Sequence, residues 1–158
     1  QITDISFAFH IVDSSTWDTI IDSDTITIQT SAAGSYTQSY DDSGEILYDQ
    51  DSIRIISKGI TDDSIFGPYL QLYIENNTTK DITVQVRDTS VNGFMVISSC
   101  SADVVAGKKA VSGITFLSSE LEENNISSIE NIGTAFHVFD MYTYDTIFDT
   151  VPITISFN

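Results

Sequence analysis

The sequence predicts an all-β protein, an antiparallel β-sandwich with about eight to ten strands and one short helical turn. Ile, Val and Thr supply 51 of the 158 residues, whereas Leu and Ala together supply 12. Branched side chains lose rotamer freedom in helices and suit a pleated sheet, so this ratio favours strands. Apolar and polar residues also alternate along short segments that turn signals separate, and short strands of this kind are typical of a sandwich.

Alternating apolar residues mark the individual strands. They occur as Phe7, Phe9 and Ile11, as Ile53 and Ile55, as Leu70, Leu72 and Ile74, as Ile82, Val84 and Val86, as Ile114 and Phe116, and as Ile153, Ile155 and Phe157. The stretch NNTTKD at 76–81 predicts a hairpin between two of these strands. Further turn signals lie at 59–68, 90–93 and 105–110.

One helical turn is predicted at 118–125, in the segment SSELEENN. Ser119 and Glu122 have the spacing of a capping box, in which each side chain bonds to a backbone N–H group at the start of a helix. Leu121 would anchor the turn against the core.

An internal repeat joins the two ends of the chain. Residues 8–28 read AFHIVDSSTWDTIIDSDTITI and residues 135–155 read AFHVFDMYTYDTIFDTVPITI, with twelve identities in 21 positions at a constant offset of 127. The repeat indicates that a unit of about 127 residues recurs in a longer protein. Alternatively, the two ends are related arms of one sandwich.

The repeat divides the chain into three parts. Residues 1–30 would be the terminal strands of a preceding unit, or an N-terminal arm packed on the main domain. Residues 31–45 are small and polar and would form a junction, and residues 46–158 would form the β-sandwich. Terminal strands alone bury no core, so this segment is expected to pack on the module that follows it or on a neighbouring chain.

The charge of the chain excludes several classes of partner. It carries 23 acidic against six basic residues, a formal net charge of −17, and no base occurs in residues 1–44 or 110–158. Nucleic acids and anionic membranes attract basic patches, so neither is an expected partner. No apolar run is long enough to insert into a membrane, and the lone Cys100 is expected to be a small buried hydrophobe.

Repeated acidic residues are candidates for a metal site. They are Asp13, Asp18 and Asp22 with their counterparts Asp140, Asp145 and Asp149. Carboxylates are suitable calcium ligands, although the spacing does not fit the twelve-residue EF-hand loop. The alternative is that these residues cap turns by accepting backbone hydrogen bonds.

No catalytic site is predicted. His10 and His137 are equivalent in the repeat. Ser14, the candidate nucleophile near His10 in the sequence, is replaced by Met141 in the second copy. A triad would therefore exist in one copy only. Two histidines and one cysteine without ligand spacing also argue against zinc.

Aromatic residues are the candidates for ligand binding. Tyr69 and Tyr73 share one face of a predicted strand, and Trp17 and Tyr144 occupy equivalent positions in the repeat. Such side chains could form a platform for sugar rings or a protein. The alternative is that they cover the outer side of a sheet or a joint between domains.

The segments GPYLQLYIENNTTKDITVQV, SVNGFMV and ADVVAGKKAVSGITF, followed by the FHVFD arm, resemble immunoglobulin-like modules of secreted and lipid-anchored bacterial proteins, which often occur in repeats. The resemblance covers residues 46–157. It implies an immunoglobulin-like sandwich, including a hairpin after the I-x-N-x-T strand, and an extracellular or surface-anchored location. It carries over no catalytic residue.

These observations together predict a non-enzymatic extracytoplasmic module that acts as a spacer or adhesive surface in a repeat-bearing surface protein. Its expected partners are neighbouring units, with a glycan or a surface protein as further candidates. The alternative function is a carbohydrate- or calcium-binding module. No cofactor is predicted, and calcium is the one candidate metal.

Overall fold

The computed structural model describes residues 1–62 and 65–157 and shows an all-β protein whose sheets are antiparallel. The chain divides into two compact units, Gln1–Asp41 and Asp42–Asn158, here called the N-terminal unit and the C-terminal unit. The described residues form fifteen strands and one helix, more strands than the eight to ten that the sequence predicts. The additional strands are short. Two strands have only two residues each, and four strands of three or four residues lie in the N-terminal unit.

The N-terminal unit contains two small antiparallel sheets. Its strands are β1 (Asp4–Phe7), β2 (His10–Val12), β3 (Thr19–Asp22) and β4 (Ile26–Gln29). β1 pairs with β4, and β2 pairs with β3. The chain runs outward through β1 and then β2, and it returns through β3 and then β4. The two sheets are therefore consecutive parts of one long hairpin.

The C-terminal unit contains two larger sheets. Its strands are β5 (Glu45–Gln50), β6 (Ile53–Thr61), β7 (Tyr69–Asn76), β8 (Ile82–Val91), β9 (Phe94–Met95), β10 (Ser98–Ser99), β11 (Ser101–Val104), β12 (Lys109–Phe116), β13 (Asn131–Asp140), β14 (Thr146–Asp149) and β15 (Ile153–Ser156). The first sheet has the order β10-β12-β7-β6-β5, and the second has the order β11-β8-β13-β14. In the second sheet β9 also pairs with β8, and β15 also pairs with β13.

Side chains from both sheets meet in one hydrophobic core. Leu72 and Ile114 enter it from the first sheet, and Val84, Ile132 and Phe136 enter it from the second, all of them fully buried. The predicted alternation along the strands therefore does bury one face of each sheet. Two antiparallel sheets that share a core are consistent with a β-sandwich.

The predicted hairpin at 76–81 is wrong. β7 belongs to the first sheet, where it pairs with β6 and β12, whereas β8 belongs to the second sheet and pairs with β11 and β13. The connection is therefore an arch that carries the chain from one sheet to the other. Asn76 holds it from inside, because its fully buried side chain donates hydrogen bonds to the carbonyls of Lys80 and Val104, both at 2.8 Å.

The other turn predictions have different outcomes. Turns at Asn92–Gly93 and Ala106–Gly107 confirm the signals at 90–93 and 105–110. The turn predicted at 59–68 includes Asp63 and Ser64, which lie outside the described residues.

The predicted helical turn exists as α1 (Ser118–Glu123), and Leu121 is its buried residue. The predicted capping box is wrong, because Leu117 is the N-cap and no side chain forms a capping hydrogen bond at the start of the helix. Ser119 thus lies inside the helix. In the part of the chain that the structure describes, no helix has the length and apolar character required to cross a membrane.

Candidate functional site

The repeated sequence folds in the same way in both units. In the N-terminal unit β2 pairs with β3 so that His10 lies opposite Asp22. In the C-terminal unit β13 pairs with β14 so that His137 lies opposite Asp149, exactly 127 residues further on. The register between β1 and β4 recurs with the same offset between β13 and β15. We call residues 2–30 and 129–157 the N-terminal and C-terminal double hairpins.

The irregular features recur as well. The register shifts between Ile11 and Val12 in one copy and at the equivalent point of β13 in the other. At the tips of the loops, Trp17 and Tyr144 both have a left-handed backbone, with φ of 63° and 61°. This conformation costs energy for side chains other than glycine, so its recurrence indicates that the loop geometry is a property of the repeat.

One aspartate in each copy holds this loop. The Asp13 carboxylate accepts hydrogen bonds from the N–H groups of Ser15 and Thr16, and these bonds lower the pKa of Asp13. The Asp140 carboxylate does the same with the two residues that follow Met141, and its pKa is also lowered, first by those N–H groups and then by Lys80. The turn-capping alternative for these two residues is therefore the arrangement that the structure contains.

A second aspartate in each copy binds a histidine. Nδ1 of His10 lies 2.5 Å from Oδ1 of Asp22, and Nδ1 of His137 lies 2.6 Å from Oδ1 of Asp149. The pair crosses from one strand to its neighbour and joins the two strands of each hairpin. Arg87 of β8 adds a cation 3.6 Å from the Asp149 carboxylate.

The structure gives no support to a calcium site at these aspartates. In each copy the first aspartate caps a loop and the third bonds to a histidine, so the three carboxylates do not converge. Across residues 1–62 and 65–157, no three His, Cys, Asp or Glu side chains form a group that could hold a metal ion. The candidates Asp18 and Asp145 contribute their backbone carbonyls, which accept hydrogen bonds from Asp13 and Asp140.

The two double hairpins differ in what covers them. Phe136 is fully buried, but its equivalent Phe9 is 53% exposed, and Ile132 is fully buried, whereas Ile5 is 50% exposed. In the C-terminal unit the face that carries these residues packs into the shared core. The equivalent apolar face of the N-terminal unit is exposed to solvent. This exposed face is the main candidate site of the molecule.

Strand continuity reflects the same difference. β13 is one strand of ten residues because β8 pairs with it along its free edge, from Ile132 to Asp140. Its equivalent in the N-terminal unit is broken into β1 and β2. Among the described residues, no strand pairs with β1 or β2 on that second edge. Unpaired edges of this kind accept strands from other chains or segments.

The candidate aromatic residues do not form one platform. Trp17 and Tyr144 are exposed at their loop tips, by 77% and 76%, and belong to different units. Tyr69 and Tyr73 lie on β7 of the first sheet. Tyr73 is 3% exposed, so it is a buried side chain and the expectation of an exposed platform does not hold for it.

Tyr73 instead belongs to a polar cluster on the first sheet. Its hydroxyl donates a hydrogen bond of 2.7 Å to Glu75, and the Lys109 ammonium forms an ion pair with the same carboxylate. The pKa of Glu75 is lowered, chiefly by the hydrogen bond from Lys109. Burial opposes this shift, and the hydrogen bond from the Tyr73 hydroxyl adds to it. Burial and the bond to Glu75 raise the pKa of Tyr73 to about 12. This cluster was not predicted, although Tyr73 and Glu75 lie two residues apart on β7 and Lys109 of β12 is directly opposite Glu75.

Other candidates for chemistry are few. Cys100 is partly buried against the core, as expected, and burial raises its pKa to about 11, so the thiol is unreactive at neutral pH. One cavity of about 320 Å³ lies beside α1, and Leu121 and Asp62 are among its lining residues. A second, of about 290 Å³, is lined by Phe66, Ile97 and polar residues of β10 and β12. Neither cavity brings together an acid, a base and a nucleophile.

Comparisons with known proteins add no family to these observations. A scan against protein-family models and searches of curated proteins and of solved structures found no match to this chain. The repeat and its two environments are therefore the features of the molecule that bear on its function.

Proposed function

We propose that the chain is a non-enzymatic β-sandwich module, with immunoglobulin-like topology, of a repeat-bearing bacterial surface protein. It acts outside the cytoplasm as a spacer or an adhesive surface, and its partners are neighbouring units. One observation carries the proposal. The same double hairpin occurs twice at a spacing of 127 residues, buried in a sandwich in one copy and uncovered in the other.

This pairing of a covered and an uncovered copy is expected where one unit ends and the next begins. In a linear array, each unit contributes its own core, and the stability of the array comes from the units and their junctions. The polar groups of the double hairpin support a structural role, because the histidines and aspartates bond to each other and to the backbone.

The parent protein provides the first test. We expect its sequence to contain further copies at the same spacing, together with a secretion signal or a lipid-attachment cysteine. On intact cells, added protease should cleave the module. A parent that has a single copy and is protected inside the cell would contradict the proposal.

A second candidate function, glycan binding, is favoured by the loop aromatics. Trp17 and Tyr144 keep the same backbone conformation and the same high exposure in both copies. Exposed rings held in a fixed loop offer flat apolar faces on which sugars stack.

A glycan array with the full chain tests this candidate. Binding that is lost when Trp17→Ala and Tyr144→Ala are combined, and kept with the exposed control Val151→Ala, would support it. Absence of binding on the array, or binding that survives the double substitution, would leave the spacer function as the proposal.

A further inference from the structure

The uncovered face of the N-terminal double hairpin is strongly apolar. Its members project to one side of β1 to β4 and match positions that face the core in the C-terminal unit. They are Ile5, Phe7, Phe9, Ile11, Ile21, Ile26 and Ile28. Their equivalents are Ile132, Thr134, Phe136, Val138, Phe148, Ile153 and Ile155.

The C-terminal unit shows what such a face requires. β8 pairs along the free edge of β13, with Val84 opposite Val138 and Val86 opposite Phe136. The first sheet then covers the face, and the ring of Tyr48 stacks on Phe148 at 4.4 Å. An edge strand and a facing sheet are therefore both needed to bury these side chains.

We infer that the N-terminal double hairpin is the last part of another sandwich and completes a body of the same kind as residues 42–127. The body supplies a strand equivalent to β8, which adds to β1 and β2 in antiparallel register. Transposed by 127 residues, that register places the equivalent of Val84 opposite Ile11 and the equivalent of Val86 opposite Phe9. This inference rests on the proposed function only in taking a neighbouring unit as the partner.

The face also defines how that body differs from residues 42–127. In the C-terminal unit Thr134 forms a buried hydrogen bond of 3.1 Å with Thr89 of β8, but its equivalent is Phe7. A Phe ring makes no such bond and needs apolar space, so the partner strand should carry a smaller or apolar residue in place of Thr89.

Gly133, next to Thr134, adds a second steric requirement on the partner strand. A Cβ atom at Gly133 would lie 2.7 Å from Oγ of Ser90, and the equivalent of Gly133 is Ser6. In the partner, the residue that matches Ser90 must be smaller or turn its side chain away, and a serine hydroxyl turns away at little cost. Phe7, with a smaller contribution from Ser6, thus discriminates between the bodies of different units.

A fusion protein tests the inference. Residues 42–127 are placed directly before Gln1 of the full chain, which restores the 127-residue spacing. Ser6→Gly and Phe7→Thr are introduced so that the strand matches the supplied body. Hydrogen exchange is measured by mass spectrometry on a peptide covering residues 5–13. We expect exchange to slow on the order of 100-fold relative to the unfused chain with the same two substitutions.

Two variants of the fusion act as matched controls. Phe9→Asp places a charge on the face that should be buried, and it should abolish the protection. Thr27→Asp places the same charge on β4 at a position that is exposed in both copies, and protection should persist. A reference fusion, in which residues 128–158 replace residues 1–31, sets the protection of a complete unit.

Two outcomes would overturn the inference. If the reference fusion folds as two units and the test fusion does not, the N-terminal double hairpin cannot complete such a body. If residues 5–13 are already protected in the unmodified chain, something else covers the face; dependence of that protection on protein concentration would identify a second copy. A parent protein that contains only one unit would contradict the proposed function. The fusion result would still decide whether the exposed face completes a body of this kind.

Discussion

Identical residues in this chain occupy opposite environments. Phe9 and Phe136 share their local sequence, and the backbone N–H and carbonyl of each bond to equivalent residues, Ser23 and Thr150, yet only Phe136 has a sheet packed over it. A phenylalanine contributes to stability by leaving water, so the same residue contributes strongly at one position and weakly at the other. The repeat therefore provides an internal control for substitutions.

Substituting these two residues should give unequal effects. We expect Phe136→Ala to lower the free energy of unfolding of the C-terminal unit by about 3 to 5 kcal/mol, because it leaves a cavity in the core. Phe9→Ala should lower the free energy of unfolding of the chain by less than about 0.5 kcal/mol. Urea unfolding of the full chain, followed by circular dichroism, measures both. Equal losses would mean that the face of the N-terminal double hairpin is covered.

The Glu75 cluster should contribute a pH-dependent part of the stability. The pKa of Glu75 in the folded state is lowered from its ordinary value of 4.5, chiefly by Lys109. The stabilisation is therefore complete above about pH 4.5 and is lost as the pH falls through the lowered pKa. Because Lys109 is partly exposed to solvent, we expect about 1 kcal/mol or less.

Glu75→Gln tests this contribution. The variant should be less stable than the unmodified chain at pH 7, and the difference should shrink as the pH is lowered to about 2. Glu45→Gln, at an exposed residue, controls for the loss of one negative charge. A difference between wild type and Glu75→Gln that is constant over this range would contradict the prediction.

At the scale of elements, the arch between β7 and β8 determines the architecture. Both strands alternate as the sequence predicts, but alternation does not specify which strand is the partner. A turn of this length fits either a hairpin or a crossing between sheets. The buried Asn76 side chain favours the crossing, because it also accepts hydrogen bonds from the N–H and hydroxyl groups of Thr78.

Removing the Asn76 side chain should destabilise the arch. Asn76→Ala removes a donor from the carbonyl of Val104, a buried residue, whereas the Lys80 carbonyl keeps the Thr78 hydroxyl as a donor. We expect a loss of about 1 to 3 kcal/mol in the free energy of unfolding. Thr79→Ala, at an exposed position of the same turn, should cost less than about 0.5 kcal/mol. Comparable losses in thermal or urea unfolding would show that the buried amide is not what holds the turn.

The helix illustrates a second limit of local patterns. The segment and its buried Leu121 were predictable, because a single apolar anchor among polar residues is a local signal. The capping residue was not, since the helix begins at Ser118, before the expected cap. Gly67 shows the packing at this point: a Cβ atom there would lie 2.5 Å from the Phe116 carbonyl. The start of the helix thus lies in a tightly packed connection.

At the scale of the whole molecule, negative charge is the dominant electrostatic feature. The C-terminal unit holds 17 of the 23 acids and all six bases, which gives −11 for residues 42–158 and −6 for residues 1–41. Several bases are in ion pairs with acids, including Arg54 with Asp49 and Lys80 with Asp140. The remaining acids repel one another across the surface.

Salt should therefore stabilise the chain. Raising NaCl from about 10 to 150 mM shortens the Debye length from about 30 to 8 Å and screens this repulsion. We expect the melting temperature of the C-terminal unit to rise by about 2 to 5 °C. Calorimetry at constant pH measures it, with an equal osmolarity of sucrose as the control. A melting temperature that falls with salt would mean that attractive ion pairs outweigh the repulsion.

The sequence by itself determined the class of the protein and the existence of the repeat. Branched residues and their alternation depend on local backbone preferences and on which side of a strand faces the core, and both are written in consecutive residues. The sequence also placed His10 with His137 and Trp17 with Tyr144 as equivalents, and their hydrogen bonds and φ angles match.

Only the tertiary structure decided what these residues do. Whether Phe9 is covered, whether Tyr73 is exposed and whether Asp22 meets a metal or a histidine all depend on segments distant in sequence. Burial is a property of the partner as much as of the residue, and β8 and the first sheet supply that partner to one copy of the repeat. Two copies of one repeated sequence thus form a core in one unit and an open surface in the other.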